Sequence, residues 1–412
     1  MKTVLRWPMK RTHTLQAVAM LAIASACARD RSDTRAVTME VDSAGIRIIT
    51  SAETEVGLAR WSVNDSPTVT IGLADGDPAY QFFRIGGLTR LDSGQIVVAN
   101  GGTNEVRFYS SDGLHQATAG GPGEGPGEYN GMRGLWRLEG DSILVEDALN
   151  GRMHLYVADG RLVRSWPLME LRQYVTPPPV GRFDDGRWLV QTSRSIGEPP
   201  DPIVFIGLLV AYSLDSAADT LAEVPGGPAY WEQVENYVRR LPAPFATSIH
   251  VAMSSDRVFA GNGASFEVRV LDSHGQTQAL WRLDSPPRSV TAADIAADKA
   301  ALLDLMRTDD QRRQLERTYN LVPMPEVMPA YSKLLVDRTG WLWVEEYYAA
   351  GDAHREYIVF SADGRPAARV LLPPEFDVRQ VGDDFILGIW LDEATGVEYV
   401  RQYGLERSSA AG

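Results

Sequence analysis

The sequence predicts an all-β protein in which six four-stranded antiparallel units close into one ring, a β-propeller. Three observations carry this. A tight turn followed by a short apolar strand, first met as Asp92-Ser93-Gly94 and residues 95–100, recurs at 142–147, 187–192, 257–262, 341–346 and 385–390. A further strand follows each copy, as at 105–109 after 95–100. The last copy lacks a fourth strand, while a spare strand-like segment, 67–72, lies near the N-terminus.

Each copy opens on residues that tolerate positive φ: Asp92-Ser93-Gly94, Glu139-Gly140-Asp141, Asp184-Asp185-Gly186, Ser254-Ser255-Asp256, Asp337-Arg338-Thr339-Gly340 and Gly382-Asp383-Asp384. These are hairpin-turn residues. The next strands fall at 105–109, 152–157, 208–213, 267–271, 356–360 and 398–403. Most end in another turn, such as Ala158-Asp159-Gly160, and a fourth strand leads away, as at 161–166 or 365–372. Unit three departs, with Asp215-Ser216-Ala217-Ala218 where Asp-Gly is expected. The aligned starts lie 47, 45, 70, 84 and 44 residues apart. The two long spacings hold inserts, 225–244 between units three and four and 291–324 between units four and five, and both are expected to be helical. The second opens on the capping-box-like Thr291-Ala292-Ala293-Asp294 and continues with Ile295, Leu302, Leu303, Leu305 and Met306 at mainly helical spacing. One such sheet cannot bury both faces alone, whereas six arranged radially can, with few edges exposed. Pairing of 67–72 with 398–403 supplies the missing strand and closes the ring.

The 412 residues, 44% hydrophobic, suffice for a large core, and the formal charge of −14 argues against nucleic-acid binding, which needs clustered Lys and Arg. The N-terminus carries Lys2, Arg6, Lys10 and Arg11 and no acid, followed by an apolar run, 15–26, too short for a bilayer, which takes about 20 apolar residues. Ala24-Ser25-Ala26 precede Cys27, the sole cysteine, so no intrachain disulfide can form. Small residues before a lone Cys resemble a bacterial lipobox. On that reading 1–26 is a signal peptide and Cys27 the lipidated new N-terminus, anchored in the cell envelope. The same residues also read as a plain secretory site, with Cys27 incidental. Cleavage leaves 36 basic and 54 acidic residues, a formal −18. Residues 28–40, polar and patternless, read as a tether. The expected organisation is thus 1–26 signal peptide; 27–65 lipidated N-terminus, tether and leading strand; 66–407 propeller; 408–412 disordered tail.

The Asp-Gly turns, the strands ending Val98-Ala99-Asn100 and Val145-Glu146-Asp147, and the connector from Gly120 to Tyr129 resemble the units of NHL-repeat-type six-bladed β-propellers. Over 66–407 the chain resembles bacterial six-bladed propeller lipoproteins. The resemblance speaks for fold; propellers host many activities.

The Gly-rich connector lacks the Lys-Ser/Thr of a phosphate loop and reads as a link between blades. Of the five histidines after cleavage (His115, His154, His250, His274, His354), only His250 falls on an expected innermost strand, in a column otherwise reading Leu88, Leu135, Val180, Leu334 and Val378. A convergent metal site is not expected, nor a cofactor. Asp377 is the one clear carboxylate at the channel mouth. No Gly-x-Ser-x-Gly occurs, and no catalytic residue is assigned. Arg84, Arg133, Lys333 and Arg379 fall on or beside innermost strands, where they either line a funnel for an anion or pair with neighbouring acids. Tyr230, Trp231, Arg239 and Arg240 lie on the first insert, on the face that carries the connectors, and suit sugar rings or apolar and carboxylate groups of a partner. Two functions follow. One is a monomeric, lipid-anchored binding module that presents this face to a partner protein or an anionic or saccharide ligand. The other is a hydrolase or lyase acting on a carbohydrate or lactone at the central channel.

Overall fold

The structure is a computed structural model that describes residues 38–52, 58–167, 179–198, 201–213, 216–234 and 237–408. Residues 35–412 group as one unit. Cys27, the segment 1–26 expected to be a signal peptide, and the end of the tail lie outside the described residues.

The described strands form six sheets in chain order. The first holds Ile85–Arg90, Ile96–Asn100, Glu105–Tyr109 and His115–Gly120. The second holds Met132–Arg137, Ile143–Asp147, Arg152–Tyr156 and Leu162–Pro167. The third holds Gly181–Arg182, Trp188–Ile196, Ile203–Ser213, Ser216–Val234 and Tyr237–Pro242. The fourth starts at His250–Met253, Arg257–Gly261, Glu267–Asp272 and Thr277–Asp284. The fifth starts at Tyr331–Val336, Leu342–Glu346, Arg355–Phe360 and Pro366–Leu372. The sixth holds Phe376–Val381, Phe385–Asp392 and Val397–Glu406. The architecture is a β-propeller.

Each second strand has an apolar stretch, such as Ile96 to Ala99 or Leu342 to Val344, because neighbouring sheets cover both of its faces. Residues Ile96 to Asn100 are all buried. Side chains alternate across a strand, and the alternation divides them between two cores. Val97 and Ala99 pack with Ile143, Val145 and Tyr156 of the second sheet. Ile96 and Val98 pack with Leu387, Ile389 and Val400 of the sixth. Likewise Leu342 and Val344 join the fourth sheet's core, while Trp343, fully buried, joins the sixth's.

The chain's two ends meet in the sixth sheet. Val69–Ile71 pairs antiparallel with Val397–Glu406, matching Val400 to Ile71, Arg401 to Thr70 and Gln402 to Val69. The seam to the first sheet is held by Glu398, which accepts the Ile85 N–H at 2.9 Å, and by Gln380. The Gln380 side chain accepts the Arg90 N–H at 2.6 Å and donates to the Arg90 carbonyl at 3.2 Å.

The leading segment is incorporated further than a tether would be. Thr38–Ser43 and Ile46–Ala52 form a hairpin on the fourth sheet, with Ile46–Ala52 parallel to Thr277–Asp284. Ala59–Arg60 runs parallel to Pro366–Leu372, and Ser62–Val63 pairs with the last strand.

The two inserts differ. Residues 291–324 contain α1 (Ala292–Leu305), with reciprocal Thr291–Asp294 capping bonds, and α2 (Asp309–Leu321), capped by Thr308 and Gln311. The described residues of 225–244 are not helical. Ser216–Val234 and Tyr237–Pro242 pair antiparallel from Ala229–Pro242 to Val234–Tyr237. Pro225, Gly226-Gly227 and Pro228 break a helix at its start, and the Tyr, Trp and Val residues after them favour a strand.

Near the axis the first and second inner strands approach so closely at Gly87 that no side chain fits there. A Cβ on Gly87 would sit 2.4 Å from the Leu135 Cβ and 2.7 Å from its backbone nitrogen. Gly87→Ala should therefore lower unfolding free energy by about 1–3 kcal/mol, read as a reduced urea midpoint; an unchanged midpoint would show slack between the first two sheets. Deleting 67–72 strips the outer partner from Val400 to Gln402 of the last strand, where Ile71, 1% exposed, now packs. A sharp fall in melting temperature is expected, and an unaltered melting curve would refute the closing role of this strand.

Candidate functional site

Register defines two ends of the axis. In the second sheet Met132 faces Asp147 and Arg137 faces Ile143, so each inner strand runs from the end where the chain passes between sheets to the end carrying the first hairpin turn. We call these the connector end and the turn end. The helical insert joins Thr277–Asp284 to Tyr331–Val336 and therefore lies at the connector end, as does the outer half of the 216–242 hairpin.

At the connector end the expected cations are brought against carboxylates. Arg133 holds Glu146, whose side chain is buried, at 2.9 Å. Lys333 and Arg379 grip the two oxygens of Asp377, and the Lys333 ammonium also donates to the Val378 carbonyl at 2.6 Å. Burial pushes the Asp377 carboxyl up, but Lys333 and Arg379 more than offset it and hold it below the ordinary range. Beside them buried Glu345 accepts from Arg355 (2.9 Å), Tyr357 (3.0 Å) and Ser332 (3.1 Å). Arg84 stands apart, exposed at positive φ over the Phe83 ring.

His250 does not occupy the column with Leu88 and Leu334. Val251 does, facing Ala260, while His250 faces Gly261 one residue earlier and so points to the opposite side. The His250 ring packs against Tyr331 at 5.5 Å, and burial lowers its pKa to about 4, so it is neutral at pH 7.

Tyr230, Trp231 and Arg239 lie on the 216–242 hairpin. Arg239 grips buried Glu232, which Arg317 of α2 grips from the other side, so an ion-paired triad ties hairpin to helix. Burial raises the Glu232 carboxyl, and the two arginines pull it below its ordinary value. None of these residues lines the channel cavities. Among the described residues no three His, Cys, Asp or Glu side chains gather as a metal would require.

The axial space opens at the turn end. One cavity of about 520 Å³ is walled by Arg137, Arg182, Ser255, Arg338 and Gln380, among others. A second, of about 270 Å³, shares Arg137, Leu138, Arg182 and Gln380 with it and adds Leu88, Leu135, Trp188 and Arg379. Together their walls come from all six sheets, which places them on the axis. Of the eight residues the sequence singled out as ligand-binding, Arg379 alone reaches these walls. Another cavity, about 500 Å³, lies off the axis between the fourth and fifth sheets, where Glu267 pairs with Arg282 and Arg288 with Asp352.

Sequence reasoning missed the turn-end arginines. Their signal is periodic: Arg90-Leu91-Asp92, Arg137-Leu138-Glu139 and Arg182-Phe183-Asp184 end the inner strands of three successive sheets. The mouth also holds acids. Asp337 is fully engaged by Arg407 (2.9 Å), the Trp343 indole (3.0 Å) and Thr339. Asp141 bonds Arg137 and the backbone of the first sheet's turn. Arg182, exposed, donates its Nε to the Gly186 carbonyl and has no carboxylate partner among the described residues.

No protein-family model and no curated protein sequence matches the chain. Solved structures do. A putative exported protein from Bacteroides fragilis is 13% identical over 88% of this chain and 100% of its own, with a TM-score of 0.48. A member of the DUF4221 family from Bacteroides vulgatus is 10% identical over 85% and 99%, at 0.46. Virginiamycin B lyase from Staphylococcus aureus is 9% identical over 85% and 100%, at 0.39. At these identities no activity passes from them to this chain, and the propeller rests on its own strand pairing.

Proposed function

We propose that this chain is an exported, lipid-anchored, six-bladed propeller of NHL-like construction that binds a small anion, acidic saccharides included, at the turn end of its channel without converting it. The observation that carries the reading is the arginine-walled axial cavity. In a chain of formal charge −14, three guanidinium groups from three sheets line one depression of about 520 Å³, and Arg182 among them has no described carboxylate partner. Charge focused in a cleft attracts an anion even on an acidic protein. The cations of the connector end are committed to Glu146 and Asp377, which supports placing the ligand at the opposite mouth. The lipid anchor rests on the sequence before Cys27 alone.

Calorimetric titration of the full chain with uronic acids and phosphorylated sugars tests the binding. The double variant Arg182→Ala/Arg338→Ala should bind at least about tenfold more weakly, the equivalent of one charge-assisted contact at roughly 1.4 kcal/mol. Undiminished binding would remove the channel from the reading, and turnover of any titrant would make the protein a hydrolase or lyase. Cys27→Ser should move the protein from the membrane fraction to the soluble fraction, since stable anchoring takes more than one acyl chain and the lipobox cysteine is where they attach. A wild-type chain already soluble would favour plain secretion.

A further inference from the structure

We infer that the turn-end mouth is a carboxylate site that the protein fills with its own Asp92, so that a carboxylate ligand enters by displacing it. This rests on the channel-binding reading above and names both the ligand class and the device that guards the site.

Asp92 sits on the first sheet's hairpin turn with its side chain 62% exposed. One carboxylate oxygen takes the Arg137 guanidinium of the second sheet and the other takes Arg338 of the fifth. The first and fifth sheets are not neighbours in the ring, because the sixth lies between them. The Asp92 side chain therefore reaches over the mouth of the cavity that Arg137 and Arg338 wall. Two guanidinium groups from separate sheets, one on each oxygen, supply charge-assisted donors to both oxygens of one carboxylate.

The turn does not depend on this interaction. The Asp92 and Ser93 N–H groups donate to the Asp141 carboxylate at 2.8 and 3.1 Å, and the Gly94 N–H donates to the Leu91 carbonyl at 3.1 Å. The Asp92 side chain can thus leave while its backbone stays. Its ion pairs are exposed to water, which competes for both partners and makes them weak. A ligand carboxylate in the same place gains more than Asp92 does. Arg182 offers a further guanidinium on the same wall, and the inner cavity offers Leu88, Leu135 and Trp188 to an uncharged ligand body. The other acids of the mouth do not substitute for Asp92: Asp337 is saturated, Asp141 is committed to the turn and Arg137, and Asp184 lies exposed at the rim.

The test is calorimetric titration of the full chain in detergent with D-glucuronate and benzoate, with glucose and benzyl alcohol as uncharged counterparts and inorganic phosphate as a non-carboxylate anion. Asp92→Asn removes the competing charge and should tighten carboxylate binding about tenfold, the change expected if the site is open in about a tenth of molecules. Arg338→Ala, with an unchanged melting curve, should weaken it. Equal affinity in wild type and Asp92→Asn, or weaker binding in the variant, would overturn the displacement mechanism while leaving channel binding intact. Tightening for phosphate but not for the carboxylates would overturn the ligand class. Absence of binding in both proteins would overturn this inference together with the reading it rests on.

Discussion

The structure depends on the antiparallel pairing of Val69–Ile71 with Val397–Glu406. Each sheet covers its faces only with neighbours on both sides, so a ring interrupted at one seam exposes two apolar faces at once. The sixth sheet is where that constraint falls. Its last strand would present unpaired backbone groups without the N-terminal segment, and those groups would attract other chains. The polar bonds that Glu398 and Gln380 make to the first sheet add direction to the closure, since they lock one register between sheets that the core alone would let slide.

Much of this was legible in the sequence because the repeat is local. A turn such as Asp92-Ser93-Gly94 and a strand such as Ile96–Asn100 state their conformations within ten residues, and closure followed from counting strands. Long-range information was harder to extract. The stretch 225–244 was expected to be helical because a spacing alone cannot separate an inserted helix from a strand pair that overshoots its sheet, although Pro225-Gly226-Gly227-Pro228 carried the distinction. His250 was displaced by one residue, and period-two alternation turns that slip into the opposite side of the strand. The ion pairs were invisible for another reason. Glu146 meets Arg133, and Asp377 meets Lys333, through strand register and sheet adjacency rather than proximity in sequence.

The two ends of the axis consequently differ in character. At the connector end, polar side chains satisfy one another in compact groups: Lys333–Asp377–Arg379, Ser332–Glu345–Arg355–Tyr357 and Arg239–Glu232–Arg317. Burial makes such pairing obligatory, because an unpaired buried charge is strongly destabilising. At the turn end, it is the carboxylate that stands in solvent: Asp92, its side chain 62% exposed, is shared between Arg137 and Arg338. Ion pairs so exposed to water are weak, unlike the pairs made by buried Glu146, Glu345 and Glu232 at the other end.

The leading strands also determine when the propeller can be finished. A chain is made N-terminus first, yet its earliest strands pair with the latest. Ile46–Ala52 waits for Thr277–Asp284, Ala59–Arg60 for Pro366–Leu372, and Thr68 for Gln402, 334 residues on. The first and second sheets, by contrast, are complete within contiguous stretches and can assemble as they emerge. Contacts so distant in sequence slow folding and leave strand edges unprotected meanwhile. Glu40 and Asp42, exposed on Thr38–Ser43, the outermost strand of the fourth sheet, place charge on an edge that stays open in the finished molecule and so disfavour pairing with other chains there.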